Sequence, residues 1–159
     1  MKKYFFDLLD ISMQNNPKIY IISVGLGWPR TDEFSKKYPD RYIQTEASEQ
    51  TALDIAVGLA YSGKIPICYT ITPFYLRGWE TIRTYINHEK LPCVLIGAGV
   101  GEEYGEHDGF SHSASDIKKH FDLMENFKKF YPDTKDELLN NIQEAITNGK
   151  PNFINIHRN

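Results

Sequence analysis

Glu49, the pair Phe74 and Arg77, and the loop Asp108-Gly109-Phe110-Ser111-His112 are the residues whose types and spacing could do chemistry. Glu49 heads a stretch, 49–62, in which Ala52, Leu53, Ile55, Ala56, Val57, Leu59 and Ala60 leave little polar surface. A carboxyl there meets two opposed effects: a helix N-terminus favours its ionised form, and desolvation favours the protonated one. Glu49 reads either as an acid that complements the helix dipole or as a carboxyl able to share a proton with a bound base. Phe74, behind Pro73, follows an apolar strand, and Arg77 lies three residues on, on the same side of a helical turn. Such an aromatic can form a stacking platform; the plain alternative is a core Phe beside a surface Arg. His112 shares its loop with His107 and the acids Glu102, Glu103, Glu106, Asp108 and Asp116. The two histidines lack the i, i+4 spacing and the third partner of a metal site, so no metal ligand is assigned. Ser111 beside His112 lacks a nucleophile elbow, which disfavours a hydrolase triad.

Glycine clusters do not change this reading. Gly25-Leu26-Gly27-Trp28-Pro29-Arg30 lacks the third glycine of a dinucleotide fingerprint and is followed by no long helical run. Gly97-Ala98-Gly99-Val100-Gly101-Glu102 carries Glu where that glycine belongs. Both read as tight exits from strands. His88, His120 and His157 read as surface or packing residues.

The elements that must position these residues are marked by patterning. Lys18–Val24, Ile65–Thr70, Leu91–Ile96 and Phe153–Ile156 are apolar strand candidates, with Tyr42-Ile43 and Phe127–Tyr131 weaker ones. Nearly continuous apolar strands imply burial on both faces, as in a parallel sheet. Helices are expected over Lys2–Gln14, Glu49–Ser62, Tyr75–Glu89 and Thr134–Asn148. The last has Thr134 and Glu137 as a capping box and Gly149 and Pro151 as the stop, and Ser48 is placed to cap the second. The 49–62 helix should be buried nearly all round. Alternation of strand and helix gives an α/β fold, doubly wound, with a mostly parallel sheet flanked by helices. A ligand in such a fold lies beyond the carboxyl ends of the strands, in the loops after Val24, Ile43, Thr70 and Ile96. The candidate residues fall in or beside these loops.

Composition narrows the classes. The chain has 159 residues, 41% hydrophobic and 25% charged, with a formal net charge of −3. That suits one folded domain and disfavours a disordered tail or a general nucleic-acid binder. No apolar run approaches the ~20 residues of a membrane helix, and Asp7 and Asp10 interrupt any signal-peptide core. Cys68 and Cys93 lie in apolar stretches and read as buried cytosolic thiols.

Taken jointly, the motifs resemble a family. Tyr38-Pro39-Asp40-Arg41, Glu46-Ala47-Ser48-Glu49-Gln50, Ala56-Val57-Gly58-Leu59-Ala60 and Ser62-Gly63 follow the pyrimidine-binding domain of transketolases and deoxyxylulose-phosphate synthase. Glu46 replaces the glycine usual three residues before the glutamate. Phe74 matches the strand-end aromatic, Arg77 the arginine that follows it in the synthase, Trp79–Arg83 the next helix, and Asp108–His112 the D-G-x-T-H loop. Tyr131-Pro132-Asp133, Pro151–Ile154 and Arg158 match the domain's end.

The resemblance implies thiamine diphosphate as cofactor. Glu49 would bond the pyrimidine N1′ and exchange a proton there, Phe74 would stack on the ring, and Arg77 would lie in the same site. His112, Asp108 and Arg77 would contact substrate hydroxyls or phosphate. The family's diphosphate half, which binds through Mg, carries a Gly-Asp-Gly motif that does not occur here. The expectation is a split enzyme. Residues 1–17 form a helical extension and 18–159 the pyrimidine domain. A separate diphosphate-binding subunit completes an α2β2 assembly in the cytoplasm, through the 49–62 helix, Tyr75, Trp79 and Tyr85. Its reaction would be two-carbon ketol transfer between sugars or sugar phosphates, or alternatively a 2-oxo acid decarboxylase or synthase reaction. A non-catalytic interaction subunit that keeps the fold is the third reading.

Overall fold

A computed structural model of the chain describes residues 1–25 and 29–158. Helix α1 (Lys2–Asn15) leads into β1 (Ile19–Ser23), α2 (Pro29–Lys37), β2 (Tyr42–Gln44), α3 (Glu49–Tyr61) and β3 (Ile65–Ile71). A 3-10 turn (Thr72–Gly78), the single turn α4 (Trp79–Thr81) and a π-helical segment (Ile82–His88) precede β4 (Val94–Ala98). Then come α5 (Gly105–Asp108), a 3-10 turn (Phe110–His112), α6 (Ile117–Asp122), β5 (Lys128–Phe130), α7 (Lys135–Thr147) and β6 (Asn152–Ile156).

The strands form one sheet in the order β2-β1-β3-β4-β6-β5, and every ladder is parallel. Ile21 pairs with Tyr42 on one side and Ile67 on the other, and Ile67 in turn with Val94. The order reverses at β1, which places the switch point between β1 and β3, beside the exits that carry the candidate residues. Parallel strands must be covered on both faces, and two cores do this. On one face, Phe5, Phe6, Leu9 and Met13 of α1, Phe34 of α2, and Leu138 and Ile142 of α7 cover Ile21, Ile67, Tyr69 and Ile154. On the other, Ala52, Leu53 and Ala56 of α3, with Ile82, Ile86, Ile117 and Phe121, cover Ile22, Cys68, Leu95 and Phe153. Phe121 and Phe153 stack with centroids 3.7 Å apart. Among the described residues, no helix is long and apolar enough to cross a membrane.

Three elements depart from the sequence expectation. Nine residues from Pro29 do form a helix, with Asp32 in its first turn and Lys36 and Lys37 in its last, as the dipole favours. Tyr75–Glu89 is not one α-helix: it winds as 3-10, one α turn, then π. Pro73 opens the tight turn, and Gly78 approaches α3 so closely that a Cβ there would lie 2.3 Å from Leu53 Cδ1. Finally, α3 is buried on one side only; Ile55, Val57 and Leu59 are half-buried and Gln50, Asp54, Gly58 and Tyr61 are exposed. Of the Gly25–Trp28 exit, Leu26, Gly27 and Trp28 lie outside the described residues.

Candidate active site

The exit from β2 turns back through Glu46, whose φ of 50° is left-handed backbone that a non-glycine residue seldom adopts. A Cβ on neighbouring Gly25 would sit 3.4 Å from the Glu46 carbonyl, so the β1 and β2 exits lie in contact. This turn delivers Glu49 as the first residue of α3. Ser48 precedes the helix but makes no side-chain cap; its hydroxyl donates instead to Thr51 Oγ1 at 2.7 Å. The Glu49 side chain is only 4% exposed.

The exit from β3 is anchored more heavily. Thr72, fully buried, donates from Oγ1 to the Gly99 carbonyl at 2.7 Å. Asn155 of β6 donates from Nδ2 toward Thr72 Oγ1 at 2.8 Å, the Gly99 carbonyl at 2.8 Å and the Gly97 carbonyl at 3.1 Å. A Cβ on Gly97 would lie 2.6 Å from Thr72 Oγ1, so only glycine lets the turn sit this close to β4. Tyr75 points inward, its hydroxyl donating to the carbonyls of Cys68 and Ile96 at 2.9 and 3.0 Å. Burial pushes that phenol well above its usual pKa and the Cys68 thiol up to about 12. These groups therefore stay neutral and hold position.

With Tyr75 turned in, Phe74 and Arg77 face the α3 N-terminus. Arg77 Nη1 donates to both Glu49 oxygens at 2.9 Å, and its guanidinium carbon lies 3.9 Å from the centroid of the Phe74 ring. The His112 ring meets Phe74 edge-on, centroids 4.9 Å apart at 67°, and His112 Nδ1 lies 3.0 Å from Ser111 Oγ. Glu49, Phe74, Arg77 and His112 therefore converge from three separate loops. Asp108 does not join them: it is exposed at the end of α5.

The loop carrying His112 is tied down by residues to which the sequence assigned no such role. Glu103 accepts from the Val100 and Arg158 backbone N–H groups, each at 2.9 Å, and pairs with His157 Nδ1 at 2.6 Å. His157 Nε2 reaches Asp133 at 3.3 Å. Burial opposes charge on Glu103, but these hydrogen bonds outweigh it and hold its carboxyl below the usual range. The hydrogen bond to Glu103 raises His157, against burial and helped by Asp133. Ser113 adds a bond to Glu102 at 2.6 Å. The available signal was an Asn within the apolar strand Phe153–Ile156; His157, read as a surface or packing residue, gave none.

Chemically, the site offers a nearly buried carboxylate, an aromatic face and a cation at the mouth of the switch point. The planar Arg77 group lies on Phe74 within bonding distance of Glu49, so this carboxyl and ring together suit a flat group with an in-plane N–H.

The whole chain, residues 1–159, matches the family model for the transketolase pyrimidine binding domain. The chain belongs to that family. A putative transketolase C-terminal section of Methanocaldococcus jannaschii is 34% identical over 112 residues, 70% of this chain and 35% of that protein. A 1-deoxy-D-xylulose-5-phosphate synthase of Dehalococcoides mccartyi is 28% identical over 148 residues, 87% of this chain and 21% of that protein. Among solved structures, a split gene transketolase, described as an inactive β4 tetramer, superimposes with a TM-score of 0.85 at 25% identity. The match covers 99% of this chain and 51% of that one. This chain thus spans about a third of the first of these curated relatives and about a fifth of the second. As a transketolase pyrimidine domain it keeps the family's α/β architecture, and the family's transferases depend on thiamine diphosphate.

Proposed function

We propose that this chain is the pyrimidine-binding half of a thiamine diphosphate-dependent, transketolase-type transferase that moves a two-carbon ketol unit between sugars or sugar phosphates. The observation that carries it is the meeting of Glu49, Phe74 and His112 at the carboxyl ends of β2, β3 and β4. Thiamine diphosphate, when bound, supplies a nucleophilic carbon for addition to carbonyls. Glu49, held at a helix N-terminus and shielded from water, bonds the pyrimidine N1′ and holds or returns a proton there. Phe74 supports the ring, and His112 sits beside that platform to bond substrate hydroxyls, with Asp108 and Arg77 at the rim for hydroxyl or phosphate groups. The diphosphate and Mg are held by a partner subunit in an α2β2 assembly in the cytoplasm. Relatives described as a transketolase section and a split gene product support such a division. The second reading, a synthase or decarboxylase reaction on a 2-oxo acid, is favoured by Arg77 three residues after Phe74 and by the synthase relative.

The test is reconstitution with the diphosphate-binding partner, thiamine diphosphate and Mg, followed by ketol-transfer assays. Glu49→Gln should lower kcat by roughly 100-fold or more, the scale of a lost general acid–base group, without unfolding the domain. A fully active Glu49→Gln complex refutes the proton role.

A further inference from the structure

Arg77 is placed unusually for a residue assigned to substrate at the rim. Its guanidinium makes both contacts required of the aminopyrimidine ring: N–H donation to the Glu49 carboxylate at 2.9 Å and stacking on Phe74 at 3.9 Å. A guanidinium and an aminopyrimidine protonated at N1′ share the features that matter, a flat π-system with an in-plane N–H that a carboxylate accepts. Both cannot occupy the Phe74 face together. Half of the Arg77 side chain remains exposed, so the group can swing outward into water, whereas Glu49 at 4% exposure cannot.

We propose that Arg77 is a placeholder in the cofactor pocket. It occupies the pyrimidine seat of the free chain and leaves when the ring arrives, and so sets the affinity with which the ring is taken up. The proposal rests on the cofactor reading above and adds a competition to it. The physical reason is the state of the empty pocket. A carboxylate this deeply buried is costly without a partner, and Phe74 without a stacked group would leave its face to solvent. Arg77 satisfies both and keeps Glu49 and Phe74 in the spacing a ring needs. Uptake of the ring must break that pair. A seat held by Arg77 about nine-tenths of the time lowers the apparent affinity about tenfold, because only the open fraction binds.

The experiment uses the full chain and 4-amino-5-hydroxymethyl-2-methylpyrimidine, the pyrimidine half of thiamine, followed by amide NMR shifts of residues 49, 74 and 112. Arg77→Met keeps the length of the side chain and removes its donors. It should bind the fragment about tenfold more tightly than the wild type, while Phe74→Ala should bind it more weakly. In a Glu49→Gln background, where the arginine loses its anchor, the gain from Arg77→Met should shrink to under threefold. That coupling is the mark of a placeholder rather than of a bulky neighbour. Equal or weaker binding by Arg77→Met overturns the proposal, as does a gain that persists undiminished with Gln at position 49. So does an absence of fragment binding in every variant. The cofactor reading is judged separately: loss of binding in Phe74→Ala with no effect of Arg77→Met removes the placeholder and leaves the ring site standing.

Discussion

Asn155→Ala should show how much of the site's geometry depends on one buried amide. Asn155 is 6% exposed, so water cannot take over its bonds. Its orientation is fixed by its surroundings: the Gly97 and Gly99 carbonyls can only accept, so the group facing them must be the NH2. Truncation removes both N–H donors. Thr72 still donates to the Gly99 carbonyl, but the Gly97 carbonyl loses its side-chain partner and a small void opens. Two neutral hydrogen bonds at about 1 kcal/mol each give a loss of about 2 kcal/mol. For a chain of this length that corresponds to a drop of roughly 4–8 °C in Tm. Asn155→Asp should be worse, because an oxygen then confronts both carbonyls, and a buried charge is added. Urea unfolding followed by far-ultraviolet circular dichroism measures both variants. A loss under about 0.5 kcal/mol for Ala, or an Asp variant as stable as the wild type, would refute the view that this amide clasps the β3 and β4 exits together.

Two further outcomes follow from the termini of the site loops. His157 carries a raised pKa, so its stabilising contribution is full below the ordinary value of 6.5 and is lost as pH rises through the raised one. Glu103 carries a lowered pKa, so its contribution is full above 4.5 and is lost as pH falls through the lowered value. The latch on the 100–112 loop should therefore hold best between pH 4.5 and 6.5. Hydrogen exchange at the Val100 and Arg158 amides, corrected for intrinsic rates, reads it; protection that does not vary with pH, or an alkaline limb that survives His157→Gln, would count against the pairing. Thr134→Ala removes the acceptor of the Glu137 N–H at 3.2 Å and should cost about 1 kcal/mol. A thermal melt checks it, and an unchanged Tm would show that Glu137 alone caps the helix.

The contrast between what the sequence revealed and what it concealed is one of range. The Thr134–Glu137 box forms as its spacing implies, each side chain bonding the other's backbone, because everything it needs lies within four residues. The strands were legible for a related reason: a parallel sheet buried on both faces demands continuous apolar runs, and Ile19–Ser23 and Ile65–Ile71 provide them. From Tyr75 to Glu89 the spacing of Trp79, Ile82, Tyr85 and Ile86 suggested an ordinary helix, because steps of three and four residues do not by themselves distinguish an α-helix from short 3-10 and π windings. What selects the winding is contact made across the fold: Thr72 clasped by Asn155, 83 residues away in sequence, and Gly78 pressed on Leu53.

The same distinction applies within the site. Glu49, Phe74, Arg77 and His112 were each visible as a residue type in a suspicious place. That Arg77 would lie between Glu49 and Phe74 was not visible, since the pair spans 28 residues and depends on how far the 3-10 turn carries the arginine back over α3. Nor could composition say which side of α3 is covered, because an apolar helix surface looks alike whether its neighbour is this sheet or another chain. The half-buried Ile55, Val57 and Leu59 show that this sheet covers one side only. The proposed function rests on residue types, and the proposed competition at its site on a contact that only the folded chain makes. That is why the strongest test of the site is competition for Phe74 and Glu49, before any turnover is measured.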